Sequence, residues 1–149
     1  DCLRRVASTN NSGVLLRFYA GGLRQWLLQE AYFDRYPDEP SWVMPGNIIG
    51  DRELPLSAKD PYVNAAMDLA DCVVGADPYN ADFLIRTVVG SDEEKQAVKE
   101  LIPSLGECIP EGRQMQIDPP LLRMWLGEAL WHAANNSAPA EADSSEVTQ

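Results

Sequence analysis

Histidine is nearly absent from this 149-residue chain: His132 is the only one, so any imidazole-based proton transfer or nucleophile activation has one place to occur. Cysteine is scarce as well. Cys2, Cys72 and Cys108 include no Cys-x-x-Cys pair, and with one histidine they lack the ligand spacing of a structural zinc site, so no metal is expected. No Gly-x-x-x-x-Gly-Lys, Gly-x-Ser-x-Gly or His-Glu-x-x-His occurs, Gly21-Gly22 is not a phosphate-cradling loop, and no motif asks for a cofactor. Positive charge is short. Twelve Lys and Arg face 23 Asp and Glu, a net charge of −11, which is the wrong sign for nucleic acid or anionic lipid, whose binding rests largely on Lys and Arg displacing counterions. Long hydrophobic runs are also missing: nothing approaches 18 consecutive apolar residues, so no membrane span is expected.

What is present is enough apolar material to bury a core, 45% of the residues, arranged with an internal echo. Residues 1–33 carry Asp-Cys-Leu-Arg and then, from Leu23, Leu-Arg-Gln-Trp-Leu-Leu-Gln-Glu-Ala-Tyr; residues 107–131 carry Glu-Cys-Ile-Pro and then, from Leu122, Leu-Arg-Met-Trp-Leu-Gly-Glu-Ala-Leu-Trp. The pattern reads as a duplication in which Arg24 recurs as Arg123 and Glu30 as Glu128. Arg to Glu is six residues in the first copy and five in the second, so the match is imperfect. The chain opens at Asp1 without Met or a charged-then-apolar leader, as expected of a processed start or one inside a longer gene.

Helix starts are clearest in the second half. Asp60-Pro61 and Asp77-Pro78 pair an N-cap acceptor with a proline whose missing N–H costs nothing in a first turn. Ser91 with Glu94 forms a capping box, and Asp118-Pro119-Pro120 is a fourth start. Apolar residues recur at helical spacing behind each, which predicts helices over about 61–76, 78–89, 92–107 and 119–134. The first half supplies one comparable helix, about 20–35. The fold class is therefore all-α, a small helical bundle with an incomplete first copy (1–35), a Pro-rich connector (36–60) pinned by Trp42, Val43, Ile48 and Ile49, a complete four-helix copy (61–134) and an acidic tail (135–149) with the composition of a disordered segment. Residues 14–19 and 113–117, each just ahead of a repeated helix, are expected to pair as a minor two-stranded ribbon.

Cys72 on the first helix of the complete copy and Cys108 at the end of its third are close enough for a folded-back bundle to join, and a Cys72–Cys108 disulfide is expected, leaving Cys2 as a lone thiol; the alternative is three reduced, buried cysteines. His132 falls in a last helical turn, where the dipole favours partial charge. Arg24, Glu30, Arg123 and Glu128 read either as the polar lining of a groove, with general-acid capacity, or as helix-surface charges and an interhelix salt bridge. The aromatics Trp26, Tyr32, Phe33, Tyr36 and Trp42 crowd the first third of the chain as core or as a recognition surface for a protein partner.

The segments Leu69-Ala70-Asp71-Cys72-Val73-Val74, Asp77-Pro78, Gly90-Ser91-x-Glu93-Glu94, Leu105-Gly106-x-Cys108-Ile109-Pro110 and Leu122-Arg123-x-x-Leu126-x-Glu128-Ala129-Leu130 resemble small exported, two-cysteine, mostly helical proteins of alphaproteobacteria. The resemblance covers about residues 60–132, implies an exported (periplasmic or secreted) setting and a duplicated architecture, and supplies no catalytic residues. The expectation is a non-catalytic exported protein that acts by binding or structural interaction through the aromatic first helix and connector. The competing expectation is a small thiol-dependent hydrolase-like or redox enzyme using Cys2 or Cys108 with His132.

Overall fold

The structure is a computed structural model and describes residues 20–43 and 61–137. Among these residues five helices make an all-α bundle: α1 (Ala20–Arg35), α2 (Pro61–Ala76), α3 (Pro78–Arg86), α4 (Asp92–Cys108) and α5 (Pro119–Ser137). The hub is α5. Helices α1, α2 and α3 all pack on it, and α4 closes the bundle against α2 and α3. A helix so enclosed cannot keep one polar side, and Leu122, Trp125, Leu126, Ala129, Leu130 and Ala133 are all buried.

Local chemistry sets the corners. One residue, Asp77, separates α2 from α3: its N–H closes α2 on the Val73 carbonyl (2.8 Å), while its carboxylate accepts from the Asn80 N–H (3.2 Å) and side-chain amide (2.8 Å). Helix α3 stops at Arg86, earlier than the expected residue 89, because Thr87 is extended and returns both its N–H and its hydroxyl to the Leu84 carbonyl. Gly90, at φ 80°, supplies the left-handed residue that turns the chain into α4. There Ser91 accepts from the Glu94 N–H (3.1 Å), and Glu94 reaches back to the Gly90 N–H (2.6 Å). At the far end α5 continues to Ser137, so 135–137 are helical and not part of a tail.

Helices α1 and α5 lie side by side and run parallel. Three contacts, Gly22 with Met124, Gln29 with Gly127 and Arg35 with Asn135, advance together along both helices, and the long Arg24 side chain reaches forward to Glu128. They set the two copies of the repeated motif next to each other, as a duplication about an axis along the helices would. The approach is close: a β-carbon on Gly127 would sit 3.1 Å from the Gln29 β-carbon.

No strand occurs among the described residues. Residues 113–117 run without turn, bend or ladder; 14–19, their expected ribbon partner, lie outside the described residues, as do Ile48 and Ile49. The described part of the connector behaves as expected, with Trp42 buried and Val43 packed on the core.

Candidate functional site

The aromatic residues of the N-terminal region divide into two sets. Tyr32 is fully buried, and its phenol donates to Asp82 Oδ1 (2.7 Å) while accepting from Trp42 Nε1–H (3.2 Å). Arg86 holds the same carboxylate through Nε (2.7 Å) and Nη2 (3.0 Å) and donates to the carbonyls of Tyr36 (2.6 Å) and Pro37 (2.7 Å), which finishes the end of α1. Its guanidinium lies over the Phe33 ring at 5.2 Å, and the Tyr32 and Tyr36 rings meet at 5.3 Å. Tyr32, Phe33, Tyr36 and Trp42 are thus occupied inside the fold.

Burial pushes the Tyr32 phenol well above its ordinary value; the Trp42 N–H opposes the rise and Asp82 adds to it. The unfolded chain ionises tyrosine near ~10, so the contribution of Tyr32 to stability is fully present below that pH and falls as pH rises above it. We expect Tyr32 to ionise only as helical circular dichroism is lost. Tyr32→Phe should remove that late step, and a Tyr32 that titrates reversibly with helical circular dichroism intact would contradict the buried network.

Trp26 stands apart. It is 54% exposed and Leu27 53%, with Leu23 beside them, an i, i+3, i+4 stripe on the outside of α1. Toward the hub the same helix turns the buried Gln25, the fully buried Tyr32 and the side chain of Arg24. Over its first two turns the helix thus carries apolar side chains outside and polar ones inside. The repeat-equivalent residues of α5, Trp125 and Leu126, are covered, Trp125 by an edge-to-face contact with Tyr62 of α2 at 6.1 Å.

The recurring charges also part company. Arg123 is buried and serves the end of α3: it donates to the carbonyls of Leu84 (2.6 Å), Ile85 (2.8 Å) and Thr87 (2.9 Å), to the Thr87 hydroxyl (2.8 Å) and to Glu94 Oε1 (3.3 Å). Arg24 pairs instead with Glu128, whose side chain is 1% exposed. Glu30 does not match Glu128. In an unbroken helix one extra residue is a rotation of about 100°, so Gln29, five residues after Arg24, holds the matching position, and Glu30 faces outward. His132 faces Glu128 one turn on, with Nε2 3.8 Å from Oε1.

Cys72 and Cys108 form a disulfide with Cα atoms 5.8 Å apart. It uses the Cys108 sulfur, so Cys108 offers no thiolate to His132; Cys2 lies outside the described residues. Among the described residues no group of three or more His, Cys, Asp or Glu could hold a metal ion, and no helix is long and apolar enough to cross a membrane. Two clefts flank 113–117. One, of about 610 Å³, is lined by Ala65, Asp68, Leu69, Ile109, Arg113 and Met115 among others; the second, of about 430 Å³, by Tyr62, Gln114, Met115, Gln116, Asp118 and Leu121. None of the recurring charges or N-terminal aromatics lines either.

The sequence carries signals for the caps and the disulfide, but none marked the clefts, whose walls come from separate stretches of chain. Compared with known proteins, the chain matches no family model, no curated protein and no solved structure.

Proposed function

We propose that this protein acts by binding, without catalysis, and that it recognises an amphipathic helix of a partner protein on the outer face of α1. The observation that carries the reading is the order of the first two turns of α1: Leu23, Trp26 and Leu27 face out while Gln25 is buried and Arg24 reaches Glu128 of the hub. Covering what remains exposed of Trp26 and Leu27 would contribute about 1–3 kcal/mol each, and a tryptophan at the centre of such a patch is a usual anchor. The kind of partner follows from the second copy, where the matching face of α5 is covered by a helix, α2, with an aromatic set edge-on to Trp125. The reading keeps the exported setting implied by the family resemblance, and a disulfide supports it, since such bonds persist in oxidising compartments. Trp42, buried beside Tyr32, drops out of the contact surface.

A photo-crosslinking residue at Leu23, in the protein made by its own cells, should give a discrete adduct whose partner-side peptide is an amphipathic helix. Trp26→Ser with Leu27→Ser should abolish the adduct without lowering thermal stability, and the same crosslinker at the exposed Gln96 should give none. An adduct that survives the double substitution would sink the reading.

A further inference from the structure

We propose that residues 113–117 form an open β-edge that captures an extended segment of another protein, one in which Lys or Arg alternates with apolar residues. The segment has the side-chain order of a strand. From Arg113 to Asp118 the chain takes no turn or bend, and its side chains alternate: Met115 and Ile117 pack on the core, while Arg113, Gln114 and Gln116 are exposed. Inward and outward side chains leave the peptide groups pointing sideways, along the surface. Among the described residues, no backbone N–H or carbonyl of 114–117 makes a hydrogen bond, although Gly112 at φ 76° and the Leu122-to-Asp118 bond (2.9 Å) fix both ends of the stretch. Such an edge is a template for another backbone.

Space and charge define the segment that fits. A strand laid along this stretch would enter the cleft of about 610 Å³ beside Arg113, Gln114 and Met115, where Ala65, Leu69, Ile109 and Met115 give an apolar floor for every second side chain. The charged groups at the rims are Asp68 and Arg113 on this cleft and Asp118 on the neighbouring one, and none of the three side chains is in an ion pair or hydrogen bond among the described residues. Pro119 and Pro120 lack the N–H groups that an N-cap carboxylate would otherwise meet first, which keeps Asp118 available. Two carboxylates against one guanidinium favour a basic visitor. A second copy, at net −11, is disfavoured by like charge, as is the acidic stretch 138–149 of this chain. The site is separate from α1, so it stands or falls independently of the function proposed above.

The probes are the blocked hexapeptide acetyl-Val-Lys-Val-Lys-Val-Lys-amide, the same peptide with alternate peptide nitrogens methylated, and a version with Gln for Lys, each titrated against the full chain. The lysine peptide should saturate, bind at least ~10-fold more tightly than both the methylated form and the Gln version, and lose its advantage over the Gln version in Asp68→Asn with Asp118→Asn. Gln114→Pro, which deletes a peptide N–H on a residue lining this cleft while sparing Met115 and Ile117, should weaken binding with unchanged circular dichroism. Amide exchange at 114–117 should be fast in the free protein and slow in the complex. Protection already present in the free monomer would mean that the chain's own segment fills the edge. Protection appearing only with dimerisation would mean a second copy does. Equal binding of the methylated peptide, or no saturation by ~1 mM, would show that no β-edge is used. Each of these four results overturns the proposal.

Discussion

Replacing Arg123 with methionine is expected to lower the free energy of unfolding by about 3–5 kcal/mol, the cost of removing one member of a buried, hydrogen-bonded charge pair. The guanidinium joins three parts of the chain at once: the last carbonyls of α3, the turn at Thr87 and the capping carboxylate of α4. Methionine fills a similar volume but leaves Glu94 buried without its cation and the Leu84, Ile85 and Thr87 carbonyls without this donor. Against a total of about 5–15 kcal/mol for a domain, the loss brings the protein close to unfolding at room temperature. Arg123→Lys should recover only a fraction, because a point charge cannot serve both arms of the fork. The control is Lys95→Met, which breaks an exposed pair with Asp92 and should change stability by less than about 1 kcal/mol. Urea unfolding with the disulfide intact measures all three, and a deficit for Arg123→Met no larger than that of the control would mean that water reaches the end of α3.

Loss of the Cys72–Cys108 bond is the second large effect. The bond closes a loop across 36 residues, and in the chain-entropy account that is worth about 4 kcal/mol, with native-state strain reducing it. For a chain of this size the thermal midpoint should fall by roughly 8–15 °C, both on reduction and in the double variant Cys72→Ser, Cys108→Ser. The two routes should agree. Alkylation followed by intact mass gives the chemical check, with one modified thiol before reduction and all three after it. Three modified thiols at once, in protein never exposed to reductant, would remove the bond and the support it lends to an exported setting.

Both features were legible in the residue order to different degrees. The disulfide follows from placing two cysteines on neighbouring helices, and the helix starts follow from Asp77-Pro78, from Ser91 with Glu94 and from Pro119, since caps are local chemistry. Arg123 was legible only as a recurring charge. Its partners are main-chain carbonyls up to 39 residues away, and a carbonyl leaves no mark on a sequence. The pairing of Glu30 with Glu128 failed for a simpler reason: aligning letters tolerates a one-residue slip that a helix, turning about 100° per residue, does not. Trp26 and Tyr32 look alike as members of an aromatic run. What separates them is which side of α1 meets α5, and that depends on Arg24 finding Glu128 across the interface. The 113–117 stretch had a strand's alternation, but a strand exists only with a partner, and the described residues contain none.

The position of α5 at the centre has a consequence for how the molecule comes to exist. Helices emerge from synthesis in chain order, and here the helix on which α1, α2 and α3 all rest is the last of the five. Until it is made, Val73, Val74, Leu84 and Ile85 have no hub to pack against, Arg86 and Asp82 have only each other and α1, and the end of α3 lacks Arg123. Until the fifth is made, α2, α3 and α4 have only one another to pack on and α1 lacks its main support, so the fold cannot close before the end of α5 has been synthesised.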